Sequence, residues 1–354
     1  MGLRLKVIFR TDASPILGYG HLMRCRSLAE AIRGLGMPCV MVGPKLSDRT
    51  EADAGVFEQW LERSEWLGES DDASKLVTLA NQMDGAVVVL DDYRAGLIYQ
   101  KVILEAGLKW LQFDGRADGP LWADWVVNAS PAARPEDYAR LLQKPGARAL
   151  LGPQYAALRP EFSAVTPRRP EKSQMTEVLV TFGGGDDRGA ILFVLAALLP
   201  ATAASIHFQV MTGASNPRNP EIKQWLDAYT GPRVRLHVAP AQVAALFSVC
   251  DLAVMAGGTT TYEAAFCGLP MLILTLAGNQ ERQSQAWQDK GAAVYLGRFN
   301  EVTEEGLISH FSKLSGSPEL RGKMSACGQH EVDGKGAGKI ALMLNEGGTV
   351  DKNF

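Results

Sequence analysis

Short apolar runs alternating with helix-like stretches, twice over, constrain this chain more than any other feature. The first series occupies 5–9, 39–42, 86–90, 110–113 and 125–127, and the second 178–182, 206–211, 234–238, 252–255, 271–275 and 293–296. Strand-sized runs separated by 10 to 15 helical residues are the pattern of parallel sheets with helical crossovers. The expected fold class is therefore α/β, with two Rossmann-like, doubly wound domains. The length of 354 residues suits two domains of ordinary size. Between the two series, prolines and charges crowd around 160–172 and leave little to bury, which marks a linker. The expected division is a first domain at 1–160, a linker at 161–176 and a second domain at 177–345. Ligands of open α/β sheets sit beyond the carboxyl ends of the strands, so an active site in an interdomain cleft is expected.

Charge and composition narrow the partners. Thirty-six Lys and Arg face 39 Asp and Glu, a net charge of -3, which offers no basic field for a nucleic acid. No apolar run approaches the roughly 18 to 20 residues that span a bilayer, and the opening residues lack the apolar core of an export signal, so a cytoplasmic protein without a membrane partner is expected. The 5 cysteines are odd in number and form no CxxC pair, which predicts reduced thiols rather than a disulfide framework or a zinc knuckle.

The chemistry gathers behind particular strands. After the first comes a polar stretch, Arg10 to Cys25, in which Gly18 and Gly20 let backbone approach a ligand at the start of a helix. His21 follows directly. A neutral imidazole at a helix N-terminus suits a general base, while the bland alternative is a capping or packing histidine. Arg24, one turn on, would favour that neutral form and attract an anionic substrate. Asp91 and Asp92 end another strand, and hydrogen bonding to a sugar suits them better than metal ligation, because no third ligand follows at a suitable spacing. Asp114 would share that task or cap the next turn.

In the second half, Gly183, Gly184 and Gly185 leave bare amides able to wrap a phosphate or a sugar edge. The strongest local signal is Gly257-Gly258-Thr259-Thr260-Thr261-Tyr262-Glu263. Two glycines opening a helix whose first turn carries hydroxyls make a diphosphate cradle, and Glu263 one turn further would accept ribose hydroxyls. A capping box from Thr260 to Glu263 is the structural alternative. Asn279 and Gln280, after the next strand, are neutral amides suited to hydroxyls, acetamido groups or phosphate oxygens.

Taken in order, Arg10-x-Asp12-x-Ser14, Gly18-x-Gly20-His21-x-x-Arg24-Cys25, Asp91-x-Tyr93, Gly152-x-x-Tyr155, Phe182-Gly183-Gly184-x-Asp186, Ala256-Gly257-Gly258-x-Thr260-x-x-Glu263 and Asn279-Gln280 resemble the pseudaminic acid pathway hydrolases. That family cleaves UDP-2,4-diacetamido-2,4,6-trideoxy-β-L-altropyranose and is related to the MurG-like glycosyltransferases of the GT-B fold. The resemblance implies hydrolysis of such a UDP-sugar, inverting and without metal or cofactor, in nonulosonic acid biosynthesis of the kind that feeds flagellin glycosylation. By it, His21 is the catalytic histidine that activates water. Asp12, Gly20, Arg24, Asp91, Tyr93, Gly184, Asn279 and Gln280 are expected at the substrate, and Gly257, Gly258, Thr259, Thr260 and Glu263 at UDP. Asp92 stands where the family usually has His, and Gly185 where Ser is common. A glycosyltransferase using a UDP-sugar donor, and a non-catalytic nucleotide-sugar binder, are the rival readings.

Overall fold

The computed structural model describes residues 5–13, 19–63, 65–83, 85–166 and 174–349. Ser14, Gly18 and the centre of the expected linker, 167–173, lie outside the described residues. The chain divides into two compact units, one formed by Met1–Pro160 with Gly334–Phe354 and the other by Glu161–Asp333.

The first unit carries a parallel sheet of β1 (Lys6–Thr11), β2 (Cys39–Gly43), β3 (Phe57–Glu62), β4 (Ala86–Asp91), β5 (Lys109–Phe113), β6 (Trp125–Asn128) and β7 (Arg148–Leu151). Their order is β3-β2-β1-β4-β5-β6-β7. Successive residues of the central strands serve opposite faces. Val7 and Phe9 join one apolar cluster with Leu22, Leu28 and Ile32 of the Gly20–Gly34 helix, and Ile8, Val88 and Leu90 join the other. Covered on both sides, these strands read as continuous apolar runs, which is why the sequence revealed them. The order reverses between β1 and β4, so their carboxyl ends flank a crevice.

The second unit repeats the plan with β8 (Glu177–Thr181), β9 (His207–Thr212), β10 (Val234–Val238), β11 (Leu252–Met255), β12 (Met271–Thr275) and β13 (Ala293–Arg298). The order is β10-β9-β8-β11-β12-β13, all parallel, with the reversal between β8 and β11.

Two expectations change. The second domain does not run to 345, because the last helix, Gly336–Thr349, belongs to the first unit. Ile340, Ala341 and Leu344 are buried in the same cluster as Leu22 and Phe9. At its start a Cβ on Gly336 would lie 2.3 Å from the Ala156 carbonyl oxygen, so the approach requires glycine. Nor does the linker begin at 161: Pro160–Ala164 forms a 3₁₀ turn whose Phe162 is buried edge-on against Phe247 of the second unit. Among the described residues, no helix is long and apolar enough to cross a membrane.

Candidate functional site

The crevice of the first unit collects the residues behind β1 and β4. His21 is the second residue of the Gly20–Gly34 helix, whose N-cap, Tyr19, makes no side-chain cap bond. Its Nδ1 lies 2.6 Å from Oδ1 of Asp91, the last residue of β4. A carboxylate only accepts, so Nδ1 is the donor in this contact, and in the neutral ring the lone pair then lies on Nε2; Arg24 Nη2 also comes within 3.0 Å of Nδ1. No protein group among the described residues occupies Nε2. Capping is thus not what His21 does here.

Asp91 is buried, and its oxygens receive Nδ1 of His21, Nε and Nη2 of Arg24, and the Cys25 thiol at 3.6 Å. The carboxylate expected at the sugar is thus engaged by the histidine and the arginine. Burial by itself would raise this carboxyl, but the Arg24 guanidinium, with His21, holds it well below the usual carboxylate range. Arg24 is likewise committed, paired with Asp91 and lying 4.8 Å over the Phe113 ring, rather than offering a free charge to an anion.

Tyr93 meets His21 edge-on, with ring centroids 4.7 Å apart. Its hydroxyl rests against Gly115, where a Cβ would come within 2.7 Å, and the Arg116 guanidinium lies 4.5 Å over its ring. Asp12 is also occupied: one oxygen accepts from the Ala13 amide at 2.7 Å and the other from Arg94 Nη2 at 2.5 Å. Asp114 takes the capping alternative, accepting from the amides of Arg116 and Ala117 and from the Tyr138 hydroxyl. Sequence reasoning missed Arg94, Trp66 and Arg116. Arg94 was signalled by its place two residues beyond Asp92, whereas nothing in the sequence marked Arg116.

In the second unit, Gly184 follows β8, the segment from Gly257 to Glu263 follows β11, and Asn279 and Gln280 follow β12, all at carboxyl ends of adjacent strands. The Ala256 amide donates to the Thr181 carbonyl and ties the first two loops together. The two glycines have different reasons. A Cβ at Gly257 would fall 2.1 Å from Ser284 Oγ, while at Gly258 it would meet nothing within 4 Å among the described residues. Gln283 Nε2 donates to the carbonyls of both glycines and to Thr261 Oγ1, and Trp287 Nε1 donates to the same hydroxyl. Those carbonyls are thereby turned toward the Glu281–Asp289 helix. The amides of Gly258, Thr259 and Thr260 meet no acceptor among the described residues.

The alternative, a capping box from Thr260 to Glu263, does not form: Thr259 is the N-cap, and no side chain caps the helix. Glu263 is 7% exposed. Burial first, and then this carboxylate, push the Cys267 thiol up to about 12. Gln280 is partly spent, its Oε1 accepting from the Leu276 amide at 2.9 Å, while Asn279 is exposed on the Gly278–Gln280 turn. Gly184 packs on Gly213, where a Cβ would come within 2.3 Å of the Gly184 carbonyl oxygen. Asp187 holds the Ile191 amide and Asn216. Among the described residues no group of three or more His, Cys, Asp and Glu side chains is arranged to hold a metal ion.

The two sheets and their order define a two-domain, Rossmann-like GT-B fold, which is also that of the MurG of Acinetobacter baumannii: TM-score 0.64, 15% identity, covering 96% of this chain and 99% of that one. In sequence the chain is similar to the spore coat polysaccharide biosynthesis protein SpsG of Bacillus subtilis, 27% identical over 342 residues that cover 93% of this chain and 94% of that protein. It is also similar to the UDP-2,4-diacetamido-2,4,6-trideoxy-β-L-altropyranose hydrolase of Campylobacter jejuni, 24% identical over 291 residues, 82% of this chain and 98% of that enzyme. No family model matches the chain.

Proposed function

We propose that the chain is a cytoplasmic sugar-nucleotide enzyme that hydrolyses a UDP-activated diacetamido-trideoxy sugar, of the type UDP-2,4-diacetamido-2,4,6-trideoxy-β-L-altropyranose, to the free sugar and UDP. The observation that carries this reading is the contact between His21 and Asp91, which fixes the imidazole with an unoccupied Nε2. The similarity to the Campylobacter jejuni hydrolase supports the substrate.

In this mechanism Nε2 of His21 takes a proton from water as the water oxygen attacks the anomeric carbon. The bond from that carbon to the phosphate oxygen breaks, and UDP leaves with the electron pair, inverting the centre. Asp91 keeps the imidazole in the correct tautomer and stabilises the imidazolium that forms. Tyr93 contacts the sugar beside the base. In the second unit, the amides of Gly258, Thr259 and Thr260 hold the diphosphate, whose developing charge they stabilise, and Glu263 accepts ribose hydroxyls. Asn279 and Gly184 complete the substrate contacts.

The test is incubation of the purified protein with UDP-, GDP- and CMP-activated diacetamido sugars, following released nucleotide with and without an acceptor. Acceptor-independent release of UDP is the expected result. Release that requires an acceptor makes the chain a transferase, and binding without turnover makes it a sugar-nucleotide binder.

A further inference from the structure

Arg94 is held in place more firmly than a surface arginine needs. Its Nε and Nη2 donate to the two oxygens of Asp92 at 2.9 and 2.6 Å, and Nη2 also donates to Asp12 at 2.5 Å. The guanidinium carbon lies 4.4 Å from the centre of the Trp66 ring. Two carboxylates and an indole thus fix a planar group whose remaining edge, Nη1, has no acceptor among the described residues, and 27% of the side chain is exposed. Arg94 directly follows Tyr93, the ring against His21.

The charge is already answered. Arg94 faces both Asp92 and Asp12, and Arg10, 3.8 Å from Asp92, is itself bound to Asp72 at 2.8 Å. An incoming carboxylate or phosphate would meet those acids, whereas a neutral acceptor would meet a fixed pair of N–H donors at little ordering cost. We propose that Arg94 is a specificity-determining residue, offering Nη1 to a neutral carbonyl acceptor on the sugar, the oxygen of an N-acyl substituent. This rests on the hydrolase reading above and names the part of the substrate that the first unit selects.

The experiment compares kcat/KM for a UDP-2,4-diacetamido-2,4,6-trideoxyhexose with analogues in which either acetamido group is replaced by hydroxyl. Wild type should prefer the diacetamido substrate over one analogue by about tenfold to a hundredfold, because a donor left without its acceptor is costly. Arg94→Lys, which keeps the charge but not the fork, should erase that preference, mainly through KM. The double variant Arg94→Met with Asp92→Asn, which removes the fork together with the carboxylate it clamps and leaves Asp12 with the Ala13 amide as its partner, should erase it too. A preference that survives in either folded variant overturns the proposal, as does an equal loss on all the sugars. Wild type inert toward every UDP-sugar overturns the hydrolase reading itself.

Discussion

Seventy residues separate His21 from Asp91, yet Nδ1 of one lies 2.6 Å from Oδ1 of the other, because the β1-to-helix crossover and the end of β4 meet at the sheet's reversal point. Arg24, one turn along the same helix, binds the same carboxylate. Asp91→Asn preserves shape but presents an amide that can donate to Nδ1, favouring the wrong tautomer. We expect kcat to fall by about a hundredfold or more with UDP binding unchanged. Urea unfolding of the variant separates this from structural loss, and a folded variant with near-normal turnover would remove Asp91 from the mechanism.

His21→Asn should retain UDP-sugar affinity while losing turnover by roughly a hundredfold or more. Steady-state kinetics and calorimetry on the same preparation check this. Normal hydrolysis would return His21 to a packing role.

Acid should weaken the fold through buried carboxylates. The Arg24 guanidinium overcomes burial to hold Asp91 below the ordinary range, and Arg10 does the same for Asp72. A depressed native value means that the unfolded chain binds more protons. The contribution is therefore full above the ordinary carboxylate value near 4 and is lost as pH falls from there through the native value. The urea midpoint should hold from neutrality to about pH 5 and decline below about pH 4. A midpoint independent of pH down to about 3 would contradict this linkage.

What the sequence disclosed follows burial. Strands such as β4 and β11, covered on both faces, stand out as apolar runs. By contrast β3, with Glu58, Gln59 and Glu62 exposed, lies at the sheet edge and gave no such signal, and β7 at the other edge was missed for the same reason. Asp91 therefore ends the fourth strand, not the third. Residue types indicated that Asp12 and Asp91 are polar groups at strand ends and His21 one at a helix start, but not which of them face each other. The pairings of Asp91 with His21 and of Asp12 with Arg94 depend on contacts 70 and 82 residues apart. Local patterns carry no information about these.

The acids that invite a metal are engaged by protein groups. Asp91 binds His21 and Arg24, Asp92 binds Arg94, and Asp187 holds the Ile191 amide and Asn216. Activity should survive EDTA. Complete loss, restored by Mg²⁺ or Mn²⁺, would show that these acids open to a cation.

Gly257 and Gly258 permit the sharpest test of the nucleotide cradle, because neighbouring glycines have different neighbours. A Cβ at Gly257 would meet Ser284 Oγ at 2.1 Å, and that hydroxyl, buried and donating to the Gln280 carbonyl at 2.7 Å, has little freedom to move. Gly257→Ala should therefore cost about 1 to 3 kcal/mol of stability. At Gly258 a Cβ meets nothing within 4 Å among the described residues beyond its chain neighbours, so Gly258→Ala should leave stability nearly unchanged while its methyl intrudes where the diphosphate is proposed to lie. UDP affinity should fall in Gly258→Ala, and by roughly tenfold to a hundredfold in Glu263→Ala through loss of a charge-assisted ribose contact. Calorimetry with UDP, beside urea unfolding of each variant, separates the two effects. Wild-type UDP affinity in a stable Gly258→Ala protein would place the nucleotide elsewhere than at the start of this helix.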